Sequence, residues 1–202
     1  MRLHWSPRSP FVRKVMVAAH ELGCADALVL QRSVAAMLAP NAAIMADNPL
    51  SKIPTLVLDD GRVLYDSRVI CEYLDARYAP GTLFPADGPA RWRALADQAL
   101  GDGLLDLLVL WRNERERAIP LAPLLDAFAT KLDAALARLD GEAARLAASP
   151  FDIGQLALGC ALGYLDYRFA ALGWRARAPA LAAWHAAIAQ RPAFLATEPA
   201  DG

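Results

Sequence analysis

The chain has 202 residues, of which 56% are hydrophobic, so it can bury the core of one large domain or of two small ones. Its 21 basic and 22 acidic residues leave a net charge of −1, which provides no basic surface for nucleic acid. Residues 1–11 carry charges and two prolines, which argues against a signal peptide. No run approaches the roughly 20 apolar residues of a membrane span, so we expect a folded protein that works in solution without a membrane partner.

The three cysteines, Cys24, Cys71 and Cys160, are widely spaced along the chain. Such spacing favours reduced thiols over a disulfide framework, and it predicts a cytoplasmic protein. The sequence contains no C-x-x-C pair, which argues against redox catalysis by a cysteine pair.

The first predicted elements are a short strand over Arg2–Trp5 and a helix that begins at Pro10. Ser9 is a good N-cap for this helix, and proline is favoured at the first helical position. Apolar residues then recur at helical spacing, at Val12, Val15, Met16, Ala19 and Leu22. On these residues alone, a cap with no further role is the simplest interpretation of Ser9.

A second strand is predicted over residues 28–31, and Ile53-Pro54 later opens a run of β-branched and aliphatic residues. An X-Pro bond adopts the cis form far more readily than other peptide bonds, so Pro54 is a candidate for a cis bond in a tight bend. Such a bend would expose the backbone N–H and C=O of Ile53, which could pair with an extended peptide as a sheet edge does. Asp60-Gly61, between two apolar strands, predicts a two-residue hairpin turn.

A further helix is predicted to begin at Asp66-Ser67, where two acceptor side chains meet free backbone N–H groups. The apolar residues that follow at helical spacing are Val69, Ile70, Tyr73 and Leu74. A helix start of this kind favours an anion. The order strand, helix, strand, X-Pro bend, hairpin, helix is the order of a thioredoxin-like unit.

Turn residues cluster over residues 79–89, which we interpret as a linker between two domains. Residues 1–78 would form the first domain, and residues 90–202 would form an all-helical second domain. The helices predicted in the second domain cover residues 90–117, 121–139, 153–171 and 180–190.

Two local patterns stand out in the second domain. Asp152 and Gln155 have the spacing of a capping box, in which Asp152 accepts from first-turn N–H groups and Gln155 reaches back. Gly101 and Gly103 follow no strand and therefore form no phosphate loop, so we expect close helix packing or a kink there.

Four segments of the sequence together resemble the cytosolic glutathione transferases, in particular small bacterial members with a serine in the sequence SPFVRKV. These segments are Ser9 to Val15, Asn48 to Pro54, Asp66-Ser67, and Asp152 to Arg168. The resemblance implies an α/β N-terminal domain of thioredoxin-like fold, with a mixed four-stranded sheet and helices, that binds glutathione. It also implies an all-helical C-terminal domain that contributes a site for a second, electrophilic substrate.

The resemblance implies that Ser9 is the catalytic residue. A glutathione thiol has a pKa near that of free cysteine, about 8.5, and only the thiolate is a good nucleophile. The Ser9 hydroxyl would donate a hydrogen bond to the sulfur, while the helix that follows contributes its positive end. Ser6 is the alternative donor, but Ser9 alone has the N-cap geometry followed by proline. A site in which neither serine holds the sulfur is a third possibility.

The implied glutathione-binding residues are Phe11, Lys52, Ile53, Pro54, Asp66 and Ser67. Backbone pairing by Ile53 would fix the cysteinyl residue of glutathione. Ser67 and the helix start would hold the γ-glutamyl carboxylate, and Asp66 would hold the ammonium group; a plain N-cap is the alternative role of this pair. Lys52 is the nearest cation in sequence for the glycine carboxylate, and Arg32 is the second.

The electrophile site is expected between the Ser9 turn and the first long helix of the second domain, at Trp111, Arg112 and Arg115. Trp111 also has the helical spacing of a core residue, which is the alternative interpretation. The two arginines belong to a run of charges that is typical of a solvated helix face.

No metal site is predicted, because His4, His20 and His185 lack cysteine or carboxylate partners at ligand spacing. Glutathione is the expected co-substrate, a small electrophilic or hydrophobic molecule is the expected second ligand, and the resemblance implies a homodimer. The leading hypothesis is a glutathione S-transferase. The alternatives are a glutathione- or ligand-binding protein with little turnover, and a glutathione-dependent reductase of peroxides or disulfides, which need not use a protein cysteine. Activity that depends on Cys24 or Cys71 would contradict the serine mechanism.

Overall fold

The computed structural model describes residues 1–201, which form two compact units. The first unit comprises Met1–Ala94 together with residues 192–201, and the second comprises Leu95–Arg191. The elements of the first unit are β1 (Arg2–Trp5), α1 (Pro10–Glu21), β2 (Val29–Arg32), α2 (Ala42–Met45), β3 (Thr55–Val57), β4 (Val63–Leu64), α3 (Ser67–Tyr78) and, late in the chain, α10 (Pro192–Leu195). Helix α4 (Gly88–Arg115) begins in the first unit and continues into the second, which also contains α5 (Ala122–Gly141), α6 (Ala143–Ala148), α7 (Ile153–Phe169), α8 (Trp174–Arg177) and α9 (Pro179–Ala189).

The four strands of the first unit form one mixed sheet in the order β2-β1-β3-β4. Strand β2 is parallel to β1, whereas β3 is antiparallel to β1 and β4 is antiparallel to β3. This mixed sheet and its helices confirm the predicted thioredoxin-like fold, and the second unit is helical, as predicted.

The core of the first unit lies between the sheet and the helices α1 and α3, which pack on each other. Leu3 of β1 and Leu56 of β3 lie opposite each other and are fully buried, as are Val15 of α1 and Ile70 of α3. Burying one such side chain stabilises a fold by about 1.5–3 kcal/mol relative to leaving it exposed. Val15 and Ile70 are among the apolar residues at helical spacing in the sequence, and Leu3 and Leu56 lie in segments predicted as strands.

The turn between β3 and β4 differs from the prediction by one residue. Gly61 N donates to Leu58 O (3.1 Å) and Leu58 N donates to Arg62 O (2.8 Å), so the loop contains the three residues Asp59, Asp60 and Gly61. The φ of Gly61 is 85°, the left-handed conformation that commonly closes a three-residue hairpin loop. The Asp-Gly signal marked the correct position, but the predicted loop length was wrong.

The segment predicted as a linker, residues 79–89, stays with the first unit. The reason is the buried carboxylate of Asp75 in α3, which accepts hydrogen bonds from Gly81 N (2.9 Å) and Leu83 N (2.6 Å). These hydrogen bonds connect the segment to α3. The boundary between the two units lies after Ala94, within α4.

The end of the described chain also belongs to the first unit, whereas the predicted second domain covered residues 90–202. Helix α10 packs against α1, where Arg13 Nη2 donates to Phe194 O at 3.3 Å. The Arg13 guanidinium also lies 5.5 Å from the centroid of the buried Phe194 ring. This cation–π contact joins two segments that are far apart in sequence, so no local pattern could indicate it.

Gly101 of α4 packs closely against α7, which is one of the two roles that the sequence predicted for this glycine pair. A Cβ atom at this position would lie 2.7 Å from the carbonyl carbon of Ala157, which is closer than real contacts allow. Gly103 differs, because a Cβ there would meet no atom within 4 Å. The close packing therefore requires glycine at only one of the two positions.

The N-terminus of α7 is capped by Asp152, whose Oδ1 accepts from Gly154 N (2.9 Å) and Gln155 N (3.0 Å), as predicted. The predicted return bond from the Gln155 side chain to residue 152 is not formed. Gln155 Nε2 donates to the carbonyl oxygens of Ser149 (3.1 Å) and Pro150 (2.8 Å) instead. The side chain thus secures the approach to the helix.

Several global features of residues 1–201 bear on function. None of their helices is long and apolar enough to cross a membrane. These residues also contain no cluster of three or more His, Cys, Asp or Glu side chains that could hold a metal ion. Cys24, Cys71 and Cys160 are buried and form no disulfide with one another.

Candidate functional site

The Ser9 turn, residues 6–9, connects β1 to α1. Ser9 adopts extended backbone angles (φ −83°, ψ 119°), and its Oγ accepts a hydrogen bond from Val12 N at 3.3 Å. Pro10 is the first residue of the helix, which confirms the predicted cap. Because Oγ acts as the acceptor in the cap, the hydroxyl hydrogen remains available for a bond to a ligand.

Ser6, the alternative thiol-binding serine, lies in a different environment. It is buried, and its Oγ accepts from Arg32 Nη1 at 2.7 Å and from Arg8 N at 3.4 Å. The Arg32 guanidinium lies 5.8 Å from the centroid of the Trp5 ring. These contacts hold Arg32 beside Ser6, which leaves Lys52, an exposed residue, as the candidate for the glycine carboxylate.

Residues 52–54 form the segment that we call the proline bend. The Ile53–Pro54 peptide bond is cis, Ile53 is half-buried and Pro54 is buried. Pairing between β1 and β3 ends at His4 opposite Thr55, so Ile53 lies two residues beyond the last paired position. Among the described residues, the Ile53 amide has no hydrogen-bond partner.

The α3 start consists of Asp66 and Ser67. Asp66 is the N-cap, and its Oδ1 accepts from Arg68 N at 2.9 Å. The Asp66 side chain is exposed, whereas Ser67 is 2% exposed at the first helical position. The predicted helix start is confirmed, and it combines an exposed carboxylate with the positive end of a 12-residue helix.

The register of the sheet brings these three segments to one end. Strand β1 runs toward the Ser9 turn, and its residue His4 lies opposite Thr55, the first residue of β3. Strand β4 runs antiparallel to β3, and Leu64, opposite Leu56, leads into the α3 start at that same end. Since β1, β3 and β4 are neighbours, the Ser9 turn, the proline bend and the α3 start lie side by side. A short extended peptide could contact all three.

Two buried polar residues, Asn48 and Thr55, support the proline bend, and no sequence pattern predicted this role for either of them. Asn48 Nδ2 donates to Thr55 Oγ1 (2.9 Å) and to Lys52 O (3.3 Å). Thr55 Oγ1 in turn donates to Lys52 O at 2.8 Å. The sequence signal was Asn48-Pro49 ahead of the Ile-Pro pair, which alone does not show what the amide binds.

The buried imidazole of His4 anchors the chain directly before Asn48. Its Nε2 lies 2.7 Å from Asp47 Oδ2, and its Nδ1 lies 2.8 Å from Ser33 Oγ. The His4 hydrogen bond holds the pKa of the Asp47 carboxyl below its ordinary value, and Arg2, 2.9 Å from the same oxygen, lowers that pKa further. His4 and Asp47 are 43 residues apart, so no local pattern in the sequence could indicate this pair.

The residues predicted for the electrophile site lie in the second unit. Trp111 is buried, with its ring centroid 5.3 Å from that of Phe169 and 6.1 Å from that of Phe128. The Arg115 guanidinium lies 4.4 Å from the Phe169 ring centroid. Trp111 therefore belongs to an aromatic core, the alternative that the sequence left open for it, and its contact with a second substrate stays a prediction.

Arg112 and Phe11 complete the predicted site residues. Arg112, in the second unit, has Nη1 3.4 Å from the Tyr164 hydroxyl and Nη2 3.0 Å from Asn113 Oδ1. Phe11 is half-buried at the second position of α1, beside the Ser9 turn. Only Phe11 of these two lies in the unit that carries the Ser9 turn.

Comparisons with known proteins agree with this architecture. Two family descriptions match the chain: "Glutathione S-transferase, N-terminal domain" over residues 8–77 and "Glutathione S-transferase, C-terminal domain" over residues 122–187. The chain is 29% identical, over 98% of both lengths, to the Escherichia coli K12 protein described as "Uncharacterized GST-like protein YibF".

Two solved structures with bound glutathione are similar over almost the whole chain. A glutathione transferase family member from Pseudomonas fluorescens Pf-5 is 48% identical, covers 99% of both chains and gives a TM-score of 0.94. A glutathione S-transferase from Methylobacillus flagellatus KT is 34% identical, covers 98% of this chain and 99% of its own, and gives a TM-score of 0.87.

Proposed function

Because the chain belongs to the glutathione S-transferase family, we propose that it binds glutathione and transfers it to a small electrophile. One observation carries the proposal: the Pseudomonas fluorescens structure, 48% identical over 99% of both chains, holds glutathione. The sheet end formed by the Ser9 turn, the proline bend and the α3 start offers this tripeptide a hydroxyl donor, unpaired backbone groups and a helix terminus.

The proposed role of Ser9 is to stabilise the glutathione thiolate. Its hydroxyl hydrogen is free for the sulfur because Oγ accepts from Val12 N. The N-terminus of α1 adds a partial positive charge at the same place. Lowering the thiol pKa by about two units corresponds to ~2.7 kcal/mol, within reach of one hydroxyl and one helix terminus. The thiol proton passes to solvent, the sulfur bonds to the electrophilic carbon, and the leaving group departs with its electron pair.

The ends of the tripeptide would be held by charges and backbone groups. At the α3 start, the backbone N–H groups and the Ser67 hydroxyl suit the γ-glutamyl carboxylate, and the exposed Asp66 carboxylate suits the ammonium group. At the other end, Lys52 is the proposed partner of the glycine carboxylate. Phe11 would pack beside the ligand, and Pro54 would fix the bend.

Steady-state kinetics of Ser9→Ala with glutathione and chlorodinitrobenzene, an activated aryl halide, test the mechanism. We expect kcat/KM to fall about a hundredfold because a donor to the reacting anion is lost. The dissociation constant of glutathione should change little, since Ser9 contributes to the thiolate rather than to the tripeptide ends. Ser6→Ala is the matched control and should retain activity. Equal activity of Ser9→Ala and the unmutated protein would contradict the assignment.

The reductase alternative has less support when it relies on a protein cysteine. Cys24, Cys71 and Cys160 are all buried, with at most 3% exposure, so none presents a thiol to a disulfide or peroxide. Burial also raises the pKa of the Cys24 thiol, which disfavours its thiolate. If the protein is a glutathione-binding protein without turnover, the unmutated chain will bind glutathione but form no conjugate in the same kinetic assay.

We also propose that the protein is a cytoplasmic homodimer. The first unit exposes the large apolar side chains of Tyr65, Val69 and Trp92, with Trp92 70% exposed, and a second copy would remove them from water. Three cysteines that form no disulfide suit a reducing compartment. Sedimentation that shows a monomer at micromolar concentration would contradict the dimer.

A further inference from the structure

The Lys52–Ile53 peptide unit is fixed by buried side chains rather than by sheet pairing. Its carbonyl oxygen accepts two hydrogen bonds, from Thr55 Oγ1 (2.8 Å) and from Asn48 Nδ2 (3.3 Å). Both donors are buried, with Asn48 1% and Thr55 0% exposed. The carbonyl therefore points into the protein and cannot rotate without leaving two buried donors unsatisfied.

The orientation of this carbonyl sets the direction of the Ile53 N–H. The Lys52–Ile53 bond is trans, and in a trans peptide unit the C=O and the N–H point in opposite directions. Since the carbonyl faces Asn48 and Thr55, the N–H faces away from them. It is the same amide that has no partner among the described residues.

Asn48 forms hydrogen bonds through both polar atoms of its side chain and through its backbone N–H. Its Oδ1 accepts from Leu50 N (3.0 Å), and its backbone N donates to Ile44 O (2.7 Å). Its second Nδ2 bond, to Thr55 Oγ1 at 2.9 Å, aligns the threonine hydroxyl for donation to Lys52. The pair thus forms a closed triangle of hydrogen bonds whose third corner is the Lys52 carbonyl.

Asp47, the residue before Asn48, is bonded to β1, and this fixes the position of the hydrogen-bond triangle relative to the sheet. His4 Nε2 and Arg2 Nη2 both contact Asp47 Oδ2, at 2.7 and 2.9 Å. His4 lies opposite Thr55 in the strand register. His4 therefore lies opposite Thr55 and also contacts the residue that precedes Asn48.

We propose that Asn48 and Thr55 are positioning residues that aim the Ile53 N–H at the cysteinyl carbonyl of glutathione. This inference deepens the proposed function and rests on it. Neither side chain touches the ligand; each acts through the Lys52–Ile53 peptide unit. The expected consequence is a loss of glutathione affinity that follows the hydroxyl and amide chemistry of these side chains rather than their volume.

The test compares Thr55→Val with Thr55→Ser by calorimetric titration with glutathione. Valine keeps the branched shape but removes the hydroxyl, whereas serine keeps the hydroxyl and removes the methyl group. We expect Thr55→Val to bind glutathione about tenfold more weakly and Thr55→Ser to bind like the unmutated protein. Weaker binding by Thr55→Ser than by Thr55→Val would show that packing alone matters and would overturn the inference.

Asn48→Asp provides a second variant, because it keeps the acceptor to Leu50 N and replaces the donor to Lys52 with an oxygen. We expect about a tenfold loss of affinity here too. Thermal unfolding of each variant shows that it is folded during the titration. Unchanged affinity in both Thr55→Val and Asn48→Asp would overturn the inference.

A readout that needs no ligand separates this inference from the proposed function. Residual dipolar couplings report the direction of the Ile53 N–H vector in the free protein. We expect this vector to reorient in Thr55→Val and Asn48→Asp and to stay unchanged in Thr55→Ser. An unmutated protein that fails to bind glutathione would contradict the proposed function alone, whereas an unchanged vector in the first two variants would overturn the positioning role.

Discussion

The sheet end of the first unit and the aromatic cluster of the second unit are built on different principles. At the sheet end, the Ser9 hydroxyl, the unpaired Ile53 amide and the Asp66 carboxylate are held in place by helix caps and by buried hydrogen bonds. In the cluster around Trp111, aromatic rings and a cation fill the interior of a helical unit. The first arrangement offers directional groups to a ligand, and the second supplies stability through burial. Mutations in the two regions should therefore affect different measurements.

The largest expected effect is on stability, at Trp111. Replacement of this buried side chain by alanine removes its contacts with Phe128 and Phe169 and should lower the free energy of unfolding by about 3–5 kcal/mol. Urea unfolding monitored by circular dichroism measures the change. If Trp111→Ala unfolds like the unmutated protein while conjugation of an electrophile is lost, the side chain serves the second substrate rather than the core.

A smaller loss of stability is expected at Gly101. A Cβ there would lie 2.7 Å from the Ala157 carbonyl carbon, so Gly101→Ala should destabilise the second unit by about 1–3 kcal/mol. Gly103→Ala is the matched control in the same helix, since a Cβ there meets nothing within 4 Å, and it should be neutral or up to about 1 kcal/mol stabilising. The same unfolding assay compares them, and equal destabilisation by both would contradict the packing argument.

The helix starts were predictable because their signals are short. A serine before a proline, and an aspartate before an apolar run, place the caps of α1 and α3 within a few residues of the groups they serve. The loop of the hairpin was harder, because a two-residue and a three-residue turn share the Asp-Gly signal. Packing of Phe194 on Arg13 joins residues 181 apart, so composition could not show that the chain returns to the first unit.

The candidate site divides in the same way. Its ligand-facing residues lie in local motifs, whereas the contacts that anchor their supports to β1 join residues that are far apart in sequence. The His4–Asp47 contact spans 43 residues and the Arg2–Asp47 contact spans 45. Hydrogen bonds of this range depend on the fold, so only the structure reveals what holds Asn48 and the proline bend.

At the ligand-facing end, the double variant Asp66→Ala with Ser67→Ala should weaken glutathione binding by about tenfold or more, because a charge-assisted bond and a hydroxyl are lost. Calorimetric titration measures the loss. Asp60→Ala with Arg62→Ala is the control. These two exposed residues form an ion pair at the hairpin, far from the proposed ligand, and the double variant removes one charge of each sign. An equal loss of affinity in the control would contradict a specific role for the α3 start.

The smallest expected effect concerns pH. The hydrogen bond from His4 lowers the pKa of Asp47, so this carboxylate contributes stability above its unfolded pKa of about 4, and the contribution is lost as pH falls through the lower folded value. The difference in unfolding free energy between the unmutated protein and Asp47→Asn should therefore be present near neutral pH and should shrink below about pH 4. Urea unfolding across this range measures it. A difference that is constant with pH would contradict the stabilising role of the ionised Asp47 carboxylate.

The proposed role of Ser9 can be tested through the pKa of the bound glutathione thiol, measured from the ultraviolet absorbance of the thiolate during a pH titration. For the unmutated protein we expect a value about two units below the free thiol pKa of about 8.5. In Ser9→Ala, with glutathione still bound, the value should return toward that of the free thiol. A bound thiol pKa that is the same in both proteins would contradict the claim that Ser9 stabilises the thiolate.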